Sequence, residues 1–265
     1  MVHNAAVDRY ARWNALVELL TEQGRVTVEE AAHTLRVSQA TIRRDLEQLA
    51  QQQMITRTRG GAVASGVSYD LPLRYKTAKH SAEKQRIGVA AAALVEPGTV
   101  VGLNGGTTTT EVARALAGRA DLGGDTEQLT VVTNALNIAN ELLLRSRMKI
   151  VVAGGVVRPQ SFELVGPLGA ALLEEITMDL ALLGVDAIDV ALGAAAHHEG
   201  EAAMTRLMVN RARRVVVIAD SSKLGGNAFA RVCPTERVAS LVTDASADPR
   251  TLAAFREAGV DVITA

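Results

Sequence analysis

Apolar residues recur every three or four positions through about residue 50, alternate with polar ones from Met54 to Gly61, and after residue 99 gather in short β-branched runs. The first spacing predicts helices. Trp13, Leu16, Val17 and Leu20 make one stripe on a helix from Asp8 to about Glu22. Thr27 followed by Glu30 is a capping box that starts a second helix, with Val28, Ala31, Ala32 and Leu35 inward and an end near Arg36. Val37 plugs the next turn, and Ser38 supplies an N-cap oxygen to a third helix running to about Ala50. There Ile42, Leu46 and Leu49 stand at i, i+4 and i+7 and face inward. At about 100° per residue, Ala40, Arg44 and Glu47 point away from that stripe, and Thr41 and Arg43 flank it. The alternation that follows ends in Gly60-Gly61, which predicts a hairpin wing with Arg57 and Arg59 on one side of a strand.

Helical periodicity then gives way to Ala, Ser, Gly and Pro, so residues 1–64 are expected to form one domain, 65–79 a linker and 80–265 a second domain. The second opens with a helix from His80 to about Leu94, broken by Pro97-Gly98. Apolar runs at 99–103, 129–133, 149–153, 180–183, 215–219, 241–243 and 260–263 alternate with helical segments, among them one from Ala202 to Ala212. Short apolar strands separated by helices imply a parallel sheet buried on both faces, an α/β Rossmann-like domain.

Composition fills in the surroundings. A hydrophobic content of 48% is ample for a core, and with only 3% aromatic residues that core is built from Ala, Val and Leu. The single cysteine, Cys233, cannot form an intrachain disulfide and is assigned a structural role. No charged-then-apolar leader and no apolar run of ~20 residues is present, so a cytoplasmic protein without a membrane partner is expected. The net charge is -1, yet Arg36, Arg43, Arg44, Arg57 and Arg59 outnumber the acids Asp45 and Glu47 between residues 36 and 64. A basic patch on a near-neutral chain is an electrostatic footprint for double-stranded DNA. The expected reading surface is Ser38, Gln39, Ala40, Thr41, Arg43 and Arg44 on the third helix, with Arg57 and Arg59 on the wing facing phosphates. Confinement of the basic residues to one patch disfavours a nonspecific nucleic-acid binder. One such domain spans too few base pairs for genomic specificity, so a homo-oligomer is expected.

Candidate ligand chemistry lies in the loops after the strands of the second domain, where open α/β sheets bind ligands. Asn104-Gly105-Gly106-Thr107-Thr108-Thr109-Thr110 follows the first strand and opens a helix, a pattern that suits an anion such as phosphate and equally a glycine turn with threonine caps. Asn134, Gly154-Gly155 and Asp220 to Lys223 end further strands. Lys223 would supply a charge to the phosphate, and Asn134 and Asp220 could bind hydroxyls. Gly184 to Asp189 faintly resembles the carboxylate loop of ribose-phosphate isomerases, but no lysine occurs between it and Lys223, so no catalytic residue is assigned. Adjacent His197 and His198 diverge rather than converge on a metal, and a polar loop capping the next helix is the favoured reading, with ligand contact left open for either. No metal and no cofactor is expected.

Trp13 to Leu20, Gly24 to Val28, VSQATIRRDLEQL and RTRGGA resemble the N-terminal domain of DeoR-type bacterial transcriptional regulators. LNGGTTT, VVTNALNIANEL, VVAGGVV, LVGPLG, DLALLGVDAID and VVVIADSSKLG resemble the same family's sensor domain. The resemblance spans nearly the whole length. It implies a winged helix-turn-helix joined to a sensor of the sugar-phosphate isomerase and CoA-transferase type, a repressor of carbohydrate metabolism, and a phosphorylated sugar as effector. By position Gly106, Thr107, Thr108 and Thr109 would hold the phosphate and Lys223 would support it. Asn104 stands where the family often has an acid, and GAAAHHEGEAA at 193–203 replaces a commoner GLT-type segment; both departures bear on which sugar is bound. A sugar-phosphate isomerase with an appended DNA-binding module is the alternative, and whether the effector releases or promotes DNA binding stays open.

Overall fold

The computed structural model describes residues 9–51, 55–64, 73, 80–122, 128–143 and 148–265, and the chain divides into two compact units, Met1–Lys79 and His80–Ala265. Apart from Leu73, the expected linker 65–79 lies outside the described residues, as does Met54.

The first unit runs α1 (Arg9–Gln23), β1 (Arg25–Thr27), α2 (Val28–Thr34), α3 (Gln39–Gln51), β2 (Ile55–Thr58) and β3 (Gly61–Ala64). The capping box is formed at both ends: Thr27 Oγ1 accepts from the Glu30 amide at 3.2 Å, and the Glu30 carboxylate accepts from the Thr27 amide at 2.9 Å. Ser38 Oγ likewise accepts from the Thr41 amide at 3.1 Å and starts α3. Trp13, Leu16, Leu20, Val28, Ile42, Leu46 and Leu49 meet in one core, closed by Ile55 and Ala62 of the wing. Each such side chain stabilises the unit by about 1.5–3 kcal/mol relative to exposure. The wing is a three-stranded antiparallel sheet of order β1-β3-β2, and β1 was not apparent from the apolar pattern. Its register pairs Thr58 with Gly61, so the turn is Arg59-Gly60, with Gly60 at φ +96°. Arg59 therefore sits at the tip of the wing and not on the strand beside Arg57, because the chain reverses one residue earlier than the Gly-Gly pair suggested.

The second unit continues through α4 (Ser81–Ala92), β4 (Val100–Leu103), α5 (Thr107–Ala117), β5 (Thr130–Thr133), α6 (Leu136–Leu143), β6 (Lys149–Val152), β7 (Val156–Arg158), β8 (Glu163–Val165), α7 (Pro167–Glu174), β9 (Met178–Gly184), β10 (Ala187–Asp189), β11 (Gly193–Ala196), α8 (Glu199–Arg211), β12 (Ala212–Ile218), β13 (Ala230–Cys233), β14 (Ser240–Thr243), α9 (Pro249–Glu257) and β15 (Asp261–Thr264). Seven strands form one parallel sheet in the order β15-β14-β12-β9-β4-β5-β6. Alternate residues of single strands enter two different cores. Leu180, Leu182, Val216 and Ile218 pack with Ile87 of α4 and with Val112 and Leu116 of α5, whereas Ala181, Leu183, Val215 and Val217 pack with Met204 and Met208 of α8 and Phe255 of α9. The sheet is buried on both faces, which is why its strands read as unbroken apolar runs. The antiparallel hairpin β7–β8 and the antiparallel sheet β10-β11-β13 were not apparent from that pattern. Gly193 and the three alanines that follow form β11, wholly buried between β10 and β13. Among the described residues no helix is long and apolar enough to cross a membrane.

From β4 the chain proceeds through β5 and β6 to one edge, then returns at β9 and continues to the other edge. The order reverses between β4 and β9. Ligands of open α/β sheets bind beyond the carboxyl ends of the strands at such a switch point.

Candidate nucleic-acid interface and effector site

On α3 the side chains of Ser38, Gln39, Ala40, Arg43 and Arg44 are exposed, and Thr41 is half-buried with its hydroxyl against that of Ser38 at 2.9 Å. Arg43 reaches Gln39 at 3.4 Å; Arg44 has no ion pair among the described residues. Arg57 and Arg59 are exposed on the wing. Asp45, which seemed to dilute this patch, is buried: it accepts from Arg12 Nε at 2.5 Å and from Trp13 Nε1 at 2.8 Å. It fastens α3 to α1 and leaves the outer face to the arginines. Its position one residue before Leu46 and three after Ile42 placed it on the inner stripe, a signal the periodicity already carried.

In the second unit the Gly/Thr loop sits on the end of β4, at the switch point. Thr109 Oγ1 donates to Gly105 O at 2.9 Å and Thr110 Oγ1 to Gly106 O at 2.7 Å, so these hydroxyls brace the first turn of α5. Gly106 is the N-cap and brings no side-chain cap. The first helical bond there runs from Thr110 N to Gly106 O. That leaves the amides of Thr107, Thr108 and Thr109 without helical acceptors, at the positive end of the helix dipole, where an anion is favoured.

The remaining strand ends divide by role. Asn104 is buried, with Nδ2 donating to Gly184 O at 2.8 Å and Thr205 Oγ1 at 3.2 Å, and Oδ1 accepting from Gly184 N at 2.8 Å. It staples β4 to β9 across the switch point. Asn134, at the end of β5, donates from Nδ2 to Glu163 Oε2 at 2.9 Å and to Leu164 O at 3.2 Å. Gly154 and Gly155 lead from β6 into the hairpin β7–β8, two strands away from β4. Asp220 is buried and caps its own turn by accepting from the Ser222 amide and hydroxyl. Lys223 ends that turn, half-buried, with no ion pair among the described residues. The turn follows β12, which lies two strands, about 10 Å, from β4.

Residues 79–245 match the DeoR C-terminal sensor domain and residues 12–66 the DeoR-like helix-turn-helix domain. The chain belongs to the DeoR family. The glycerol-3-phosphate regulon repressor of Escherichia coli K12 is 32% identical over 234 residues, covering 88% of this chain and 90% of that protein. The HTH-type transcriptional regulator GlpR of Haloferax volcanii is 34% identical over 253 residues, covering 95% of this chain and 96% of its own length. Among solved structures, ribose 5-phosphate isomerase A of Methanocaldococcus jannaschii matches 55% of each chain at 19% identity and a TM-score of 0.42.

In this DeoR-family chain the acids of the isomerase-like loop have local employment. Asp189 accepts from the Ala191 and Leu192 amides at 2.9 and 3.1 Å and turns β10 into β11. Asp186 Oδ2 accepts from the His197 amide at 2.9 Å. His198 is the N-cap of α8, its Nδ1 accepting from the Gly200 amide at 3.2 Å. Cys233 is buried in β13, and burial pushes its thiol pKa up, away from reactivity. The relatives are named as transcription regulators, and the isomerase alternative keeps only a structural likeness.

Glu163 was missed by sequence reading. It begins β8, is buried, and lies directly over Gly105, where a Cβ would overlap its Cγ, Cδ and Oε1. Burial first, then the charge of Glu201, pushes its carboxyl up to about 8; Asp186 adds to this, while the Asn134 amide and Arg158 oppose it. No local signal marked it, since the contact joins residues 58 positions apart.

Proposed function

We propose that the protein is a DNA-binding transcriptional repressor of a carbohydrate-metabolism operon, and that a phosphorylated sugar or related metabolite at the N-terminus of α5 controls its operator affinity. The observation that carries this is the presence in one chain of an exposed arginine face on a capped recognition helix and uncapped helix amides at the switch point of an α/β sheet. The names of the relatives, a glycerol-3-phosphate regulon repressor among them, support the same pairing of DNA and phosphorylated metabolite. On this reading Ser38, Gln39, Thr41, Arg43 and Arg44 face the major groove, and Arg57 and Arg59 face phosphates. Amides of Gly106 to Thr109 hold the effector's phosphate, Lys223 adds a charge, and Asn104 and Asp220 act by shaping the crevice. The protein works as a homo-oligomer, because one winged domain spans too few base pairs to select a genomic site, and as a regulator of operator DNA it works in the cytoplasm.

The test is titration of DNA selected from a random-sequence pool by fluorescence anisotropy, with and without phosphorylated sugars and with unrelated competitor DNA. Selective binding that a sugar phosphate shifts is expected. Equal competition by unrelated DNA would refute the regulator reading, and interconversion of a sugar phosphate by the purified protein would restore the enzyme.

A further inference from the structure

The hairpin β7–β8 folds back over the end of β5 so that residues 162–164 run antiparallel to 134–136. Leu136 N donates to Phe162 O at 3.0 Å and Leu164 N to Asn134 O at 2.7 Å. Phe162 holds φ +60°, a region that bulky side chains avoid, immediately before Glu163 enters β8. Strain of this kind persists where the surrounding structure fixes it, and here its neighbour Glu163 lies on the backbone of Gly105, the residue before the N-cap of α5. Asn134 is fully buried and its Oδ1 has no hydrogen-bond partner among the described residues, although its Nδ2 is bound to Glu163. A buried carbonyl oxygen without a donor is costly and therefore uncommon. Asn134, at the end of β5, and Glu163, on Gly105, thus stand beside the loop that opens α5.

We propose that Asn134 and Glu163 form the hydroxyl-reading end of the effector site, selecting a polyhydroxylated phosphate over phosphate itself. This rests on the assignment of the phosphate to the amides of α5. Vicinal hydroxyls bring the donors that Asn134 Oδ1 lacks and can also accept from a carboxylic acid. The charged groups acting on Glu163 are Glu201 in the first turn of α8, Asp186 after β9, and Arg158 on β7, which pairs with Glu201 at 3.2 Å. With its pKa raised to about 8, the carboxyl keeps its proton at neutral pH, donates to the ligand and does not repel the phosphate. Above that pH it becomes an anion beside an anion, so effector affinity falls as pH rises through about 8.

Calorimetric titration of the full chain tests this with inorganic phosphate, glycerol 3-phosphate, fructose 1-phosphate and glucitol 6-phosphate at pH 7 and pH 9, where a phosphate ester is already a dianion. Wild type is expected to prefer at least one polyol phosphate to inorganic phosphate and to lose about tenfold in that affinity between the two pH values, as one linked proton requires. Glu163→Gln, which keeps the shape and a donor, should retain the preference at pH 7 and lose the pH dependence. Glu163→Ala should reduce the preference at least about fivefold with inorganic phosphate affinity unchanged. A pH profile in Glu163→Gln that matches wild type overturns the inference alone, even if the alanine variant does not fold. Failure of wild type to bind any of the phosphates overturns the phosphate assignment and this inference with it.

Discussion

Arg44 and Asp45 are neighbours in the chain with opposite fates, and each is tested by a different measurement. Arg44 is exposed on the outer face of α3, free of ion pairs among the described residues. Arg44→Ala is expected to weaken operator binding by roughly 1–3 kcal/mol without a change in thermal unfolding. Unchanged affinity would remove it from the interface. Asp45 is buried against Arg12 and Trp13, and Asp45→Ala removes the carboxylate that both donate to. Removing one partner of a buried pair costs about 3–5 kcal/mol, so urea denaturation of the variant should show the first unit markedly destabilised. A loss below about 1 kcal/mol would mean that water replaces the carboxylate.

At the scale of elements, the wing and the capped helices carry the predictions. Arg59 is at the tip of the β2–β3 turn and Arg57 is on β2, and the proposed function assigns both to the DNA backbone. Arg59→Ala is expected to weaken binding to all sequences alike and to lower the slope of log K against log salt by about 1. A changed sequence preference with an unchanged slope would reverse the roles of wing and helix. Thr27→Ala should cost about 1 kcal/mol in unfolding experiments, through loss of the N-cap of α2. Glu30, on the other side of that box, has its carboxyl held below its ordinary 4.5, first by the Thr27 amide and then by the Thr27 hydroxyl. Its stabilising contribution is therefore present above pH 4.5 and lost as pH falls through the lowered value, and Thr27→Ala should blunt that acid sensitivity.

For the whole molecule the decisive quantity is the coupling between effector and operator, which belongs to neither unit alone. Lys223→Ala should leave operator affinity without effector near wild type and remove a coupling of about 1–3 kcal/mol from the effector-dependent shift. An equal response in wild type and variant would place the phosphate elsewhere. Much of this organisation is determined by sequence alone, because it depends on near neighbours. The capping box and the inner stripes of α1 to α3 follow from side chains reaching three residues along and from a period of 3.6, and burial on both faces makes the strands unbroken apolar runs. The Gly/Thr loop could likewise be located from its place after a strand and before a helix. Tertiary structure alone decided which strand is central, that Asn104 is a staple across β4 and β9, and that Asp220 caps its own turn. It also brought Glu163 onto Gly105 and left Asn134 Oδ1 without a donor among the described residues. These outcomes depend on strand order and on the pairing of buried polar groups between distant segments, and a one-dimensional pattern of apolar and polar residues contains neither.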